Sequence, residues 1–359
     1  MAFTAASLLV SLLVMASSAA DGGVQAQPLV PAVISFGDST IDVGNNNYLP
    51  GAVFKANYAP YGENFVPRRE PTGRFSDGKI VTDITAETLG FEAYPPPYLS
   101  PEASGKNLLI GANFASAASS YYDDTAAMYD AITLTQQLRY YKEYRSKLAA
   151  VAGRARARAI LSDALYVVST GTGDFLQNYY HNASLSRRYN VDHYCDLLVG
   201  IFSGFASELY KLGARRIGVT SMPPLGCFPA SIMLYGKGRN ACVPRLNRDA
   251  ETFNRKLNAT VRSLKARHAG LKLAIFDIYA PLRKLAEAPA AQGFADARGT
   301  CCRTGTAKTR VYLCSPTTAA GTTCRNASSY VFFDSVHPSE AANVVIAESM
   351  VEAGIELVT

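Results

Sequence analysis

From residue 31 to the C-terminus, short β-branched runs alternate with stretches of helical periodicity, and that alternation confines the chain to a parallel sheet covered by helices. The strand candidates are residues 31–36, 107–110, 164–169, 216–220 and 271–277, and 330–333 reads as a further extended segment. Between them the spacing predicts helices over 79–89, opened by Ser76 or Asp77, and over 133–150, 191–212, 244–268, 279–286 and 339–353. In the helix at 191–212, for example, Tyr194, Leu198, Ile201, Phe205 and Leu209 recur on one face. No Gly/Ser linker, tandem repeat or low-complexity tract interrupts the series, so residues 27–359 read as a single domain. An apolar fraction of 48% over 359 residues is enough to bury a large core and excludes a disordered chain.

The N-terminus is of a different kind. Residues 8–15 form a short apolar run, followed by the small residues 16–20 and then Asp-Gly-Gly. This reads as a secretory signal peptide within residues 1–26, cleaved after Ala20 or Ala26, because a membrane span needs about 20 apolar residues. No membrane span is expected elsewhere. Three glycosylation sequons, at Asn182, Asn258 and Asn326, agree with export. In an oxidising compartment the seven cysteines become candidates for disulfides, and none forms a CxxC pair of the kind a zinc ribbon needs. Cys227 and Cys242 bracket one short loop, while Cys301, Cys302, Cys314 and Cys324 crowd another, with the pairing of Cys301 and Cys302 left open. Cys195 is left over, either as a buried free thiol or for pairing between molecules. With 35 Lys+Arg against 29 Asp+Glu the net charge is +6, and the one basic run, Arg154-Ala-Arg-Ala-Arg158, reads as a solvated helix face rather than a nucleic-acid contact.

Most reactive motifs are absent from the sequence: there is no GxSxG elbow, Walker loop, GxGxxG or HExxH. What remains is Phe36-Gly-Asp-Ser39, directly after the first strand, where an open parallel sheet binds its ligands. A serine nucleophile needs a base and a third group to orient it. Of four histidines, His181, His193 and His268 sit in loop or helix-end settings, whereas His337 follows an apolar segment in Asp334-Ser-Val-His337-Pro338. Asp334, three residues earlier, can fix the imidazole tautomer. Asp38, Asp42 and Asp174 read as loop-bracing carboxylates, and the pairs Tyr121-Tyr122 and Tyr179-Tyr180 as either an aromatic platform or packing.

Taken with Pro71-Thr-Gly-Arg-Phe-Ser-Asp-Gly78, Gly111-Ala-Asn-Phe-Ala-Ser116, Gly171-Thr-Gly-Asp-Phe175 and Pro223-Pro-Leu-Gly-Cys227, these two segments occur in an order that resembles the plant-type GDSL esterase/lipase branch of the SGNH hydrolases. The resemblance runs from about residue 31 to the end. It implies a three-layer α/β/α fold with a central, mostly parallel five-stranded sheet of flavodoxin-like type. It implies Ser39 as nucleophile, His337 as general base and then acid, and Asp334 as the orienting carboxylate, with no metal and no organic cofactor. It further implies an oxyanion hole made by the backbone N–H groups of Ser39 and Gly111 and by an Asn side chain, at a position where this chain carries Gly173. The Gly173 N–H, a water or Asn178 could stand in for that donor. Expected partners are a small-molecule acyl ester, a lipid or an acetylated polysaccharide, met by a monomer secreted to the cell wall. Three functions follow from this: an esterase/lipase, a polysaccharide O-acetyl esterase, or a non-catalytic binding protein of the same fold.

Overall fold

The computed structural model describes residues 27–305, 312–316 and 323–359, so the leader assigned to residues 1–26 lies outside the described residues. Five strands, β1 (Val33–Gly37), β2 (Gly111–Asn113), β3 (Leu165–Ser169), β4 (Arg216–Thr220) and β5 (Lys272–Phe276), form one sheet of order β2-β1-β3-β4-β5. Every pairing is parallel, so the sheet is entirely rather than mostly parallel. Strands β1 and β3 are buried along their whole length, which explains their uninterrupted apolar runs.

Helices α1 (Val81–Thr88), α2 (Leu134–Ala152), α3 (Arg154–Asp163), α4 (Val191–Lys211), α5 (Pro244–Arg267), α6 (Tyr279–Glu287) and α7 (Glu340–Val358) cover the two faces. On one side α1, α6 and α7 pack together, with α7 lying on β4 and β5; on the other, α4 packs against α5, and α2 lies over β1. Phe36 of β1 joins the sheet to this second layer, meeting Tyr141 of α2 and Phe205 of α4 edge-on at 5.5 and 5.3 Å. The arginines at 154, 156 and 158 are exposed on α3.

Several boundaries differ from the sequence expectation. The second strand is Gly111–Asn113, and residues 107–110 belong to a 3₁₀ helix, Gly105–Ile110. Gly111 ends that helix at φ 109°, and a Cβ there would lie 1.9 Å from the Val33 carbonyl oxygen; only glycine lets β2 enter beside β1. Residues 330–333 make only isolated bridges, Asp296 to Tyr330 and Phe332 to Pro338. Neither Ser76 nor Asp77 caps α1. Asp83, inside the helix, accepts from the Ile80 N–H at 3.0 Å, while Asp77 accepts the first N–H of α7, from Glu340, at 2.8 Å, and Ser339 caps that helix.

A second apolar cluster lies apart from the main core, built from Tyr61, Phe75, Phe333 and the cysteines 301, 302 and 314. The bridges are Cys227–Cys242, Cys301–Cys324 and Cys302–Cys314. Cys195 is a buried free thiol on α4, its pKa pushed up to about 12 by burial.

Candidate active site

The chain leaves β1 for β2 on one side and returns to β3 on the other, so the strand order reverses between β1 and β3. A crevice opens at such a point, outside the carboxyl ends of the strands. The segment after β1 carries Ser39 and the segment after β3 carries Gly173, and both line one cleft of about 770 Å³ together with His337.

The turn that presents Ser39 is tightly held. Gly37 sits at φ 152° with its Cα against the Ser169 carbonyl, where a Cβ would fall 1.9 Å from the oxygen. The buried carboxamide of Gln137 clamps it from both sides: Gly37 N donates to Oε1 and Nε2 donates to the Gly37 carbonyl, each at 2.9 Å. Asp38 accepts from Thr40 N at 3.0 Å and from Thr40 Oγ1 at 2.6 Å. Burial raises its pKa, and these hydrogen bonds oppose the rise. Asp42 accepts from the backbone N–H groups of Gly44, Asn45 and Ala117.

His337 lies with Nε2 2.7 Å from Ser39 Oγ and Nδ1 2.8 and 2.9 Å from the two oxygens of Asp334. A carboxylate can only accept, so Nδ1 carries the proton and Nε2 is left to accept from the serine hydroxyl. Asp334 is fully buried, and every contact it makes is with a donor. Its Oδ1 accepts from Val336 N at 2.9 Å and His337 N at 2.8 Å, and its Oδ2 from the Tyr61 hydroxyl at 2.7 Å. Tyr61 in turn accepts from Cys314 N at 3.0 Å, and Phe75 packs on the imidazole at 4.9 Å. Backbone bonds from Cys301 N to Phe332 O and Cys302 N to Phe333 O tie the bridged cysteines to the segment that leads into Asp334. The other histidines lie elsewhere: His181 contacts Tyr235, His268 contacts Ser207, and His193 is exposed.

The sequence that carries this serine, on the turn after β1, and this buried Asp–His pair matches a known family. The family model for GDSL-like lipase/acylhydrolases matches residues 33–350. The chain belongs to that family. The GDSL esterase/lipase APG of Arabidopsis thaliana is 54% identical over 329 residues, covering 92% of each chain. Two further GDSL esterase/lipases of that plant are 53% identical over 335 residues (93% of each chain) and 52% identical over 338 residues (93% of this chain, 92% of the relative). As a member of the family the protein is a hydrolase of ester bonds, and the binding-only reading falls away.

Two oxyanion-hole expectations for this GDSL hydrolase need correction. Gly111 opens β2 opposite Val33 at the start of β1, away from the cleft, and its N–H already donates to the Leu108 carbonyl. The stretch that reaches the cleft follows that sequence block: it is Ala117–Ser119, where Ala118 adopts φ 72°. Asn178 is not a substitute donor, since its Nδ2 binds Thr125 Oγ1 and its Oδ1 accepts from Asn182. Gly173 does line the cleft. Asp174 braces the neighbouring loop, accepting from Tyr121 N, Tyr122 N and Thr125 Oγ1. Tyr121 and Tyr179 are buried in the core, so the tyrosine pairs are packing rather than a platform. Asn258 and Asn326 are exposed, whereas Asn182 is half-buried and caps a short helix, Ala183–Arg188.

Sequence reasoning missed Tyr61, Gln137 and Gln177. Tyr61 acts across 273 positions and Gln137 across 100, so no local pattern marks them.

Proposed function

We propose that this hydrolase is a secreted serine esterase that cleaves esters with an apolar acyl part through an acyl-enzyme on Ser39. The observation that carries the reading is the 2.7 Å contact between Ser39 Oγ and His337 Nε2 inside a cleft whose walls include Phe54, Leu176, Phe228 and Leu234. His337 takes the serine proton as Oγ attacks the ester carbonyl, and a tetrahedral oxyanion forms. The C–O bond to the alcohol breaks, the alcohol leaves with the proton returned from His337, and the acyl group stays on Ser39. Water then attacks by the same route, releasing the acid and regenerating the serine. Asp334 holds the imidazole in the required tautomer and faces the positive charge that develops on it.

The leader sequence and the three disulfides support secretion, and among the described residues no helix is long and apolar enough to cross a membrane. The apolar walls favour acyl groups longer than acetyl. Ser39→Ala should cut hydrolysis of p-nitrophenyl esters by about 10³-fold or more with an unchanged melting curve. In an acyl-length series the specificity constant should rise beyond acetate, with little acetyl release from acetylated xylan. Activity in Ser39→Ala near that of the wild type removes the serine mechanism. Acetyl release from the polymer that exceeds hydrolysis of longer acyl esters replaces the substrate class with polysaccharide deacetylation.

A further inference from the structure

Position 173 carries glycine although its backbone does not require one, because φ −62° and ψ −35° are ordinary helical values. The reason is space. A Cβ on residue 173 would lie 2.6 Å from Ser120 Oγ and 2.7 Å from Gln177 Oε1, so these two side chains occupy the volume that a side chain at 173 would need. Gln177 stands four positions further along the same helical segment, and helical side chains lean toward the N-terminus, which lays its carboxamide over Gly173. Gln177 also lines the cleft that holds Ser39 and His337.

Its hydrogen bonding is incomplete. Among the described residues neither Gln177 Oε1 nor Ser120 Oγ has a partner, although both atoms are buried. A buried polar atom left unpaired is uncommon and calls for a role. Oε1 lies beside Gly173, and Gln177 lines the cleft, so Nε2, a donor with two hydrogens, is the group this carboxamide has to offer there. Gly111 and Asn178 are both engaged elsewhere, as shown above.

We propose that Gln177 supplies the side-chain hydrogen bond to the oxyanion formed on attack by Ser39, in place of any donor from residue 173. This rests on the serine mechanism proposed above and adds a catalytic residue to it. The exchange couples the two positions: glycine at 173 makes room, and a carboxamide one turn later fills it. An apolar side chain of similar length at 177 would keep the packing and lose the donor.

The test uses the full chain with p-nitrophenyl esters. Gln177→Met should lower kcat by about 10²-fold or more with little change in KM and an unchanged melting temperature, as expected for loss of one oxyanion donor. In the Gln177→Ala background, Gly173→Asn meets only the Ser120 hydroxyl, which can rotate about χ1, and should recover most of the lost kcat. Gly173→Asn alone, which meets Gln177 and Ser120, should not raise kcat. A Gln177→Met enzyme with wild-type kcat overturns the assignment, as does failure of Gly173→Asn to recover any rate in a Gln177→Ala protein that folds. Loss of hydrolysis in Ser39→Ala, run in parallel, keeps this result separate: if Ser39 is essential and Gln177 is not, the inference alone fails.

Discussion

At the scale of residues, the site depends on a buried carboxylate that never lacks a donor. Asp334 meets two backbone N–H groups, the imidazole and the Tyr61 hydroxyl. Burial and the Asp334 charge hold the Tyr61 phenol well above its ordinary pKa, so it stays protonated and donates throughout the working range. Tyr61→Phe removes that donor and also the acceptor of the Cys314 N–H. A hydrogen bond to a charged group contributes about 1.5–3 kcal/mol, so kcat should fall roughly tenfold or more at near-constant KM, with a small drop in melting temperature. Steady-state kinetics check this, and an unchanged kcat would leave Tyr61 as packing only. Ser39, Asp334 and His337 were legible because each belongs to a short local signature beside an apolar segment. Tyr61 and Gln177 were not, since the first acts across the whole chain and the second is meaningful only once Gly173 is seen to have no room for a side chain.

At the scale of elements, legibility followed the length and regularity of the apolar pattern. Strands β1, β3, β4 and β5 are compact β-branched runs and were readable within a residue or two, as were the long amphipathic helices α4 and α5. The three-residue β2 was not, because Asn107-Leu-Leu-Ile110 is as apolar as a strand yet winds as a 3₁₀ helix up to Gly111. The π-helix Asp174–Tyr179 gives no sequence signal either, although it brings Gln177 to the cleft. Sequence spacing left the pairing of Cys301 and Cys302 open; in the fold they take separate partners, Cys324 and Cys314. Cys314 also donates its N–H to Tyr61, which places one bridge directly behind the Asp–His pair. The clustered cysteines thus brace the segment that would otherwise be the most irregular around the site.

At the scale of the whole molecule, the reversal of strand order between β1 and β3 collects the segments after both strands at one crevice, and the C-terminal segment closes over it with His337. The same interior sets a pH dependence. Burial pushes Asp174 up to about 8 and Asp42 up to about 6, against about 3.9 in an unfolded chain. A raised folded pKa means the native state binds the proton more tightly. The stabilisation is therefore complete below about pH 4 and is lost as pH rises through about 6 for Asp42 and about 8 for Asp174. The melting temperature should fall between pH 5 and pH 9, and Asp174→Asn should flatten the upper part of that profile; calorimetry across the range checks both.

The serine acyl-enzyme itself can be caught directly. Incubating the protein with a p-nitrophenyl alkylphosphonate and mapping the adduct by peptide mass spectrometry should give one modification, on Ser39, in step with loss of esterase activity and absent from His337→Ala. Inactivation with the adduct on another residue, or full hydrolytic activity with Ser39 unmodified by the reagent, would contradict the account.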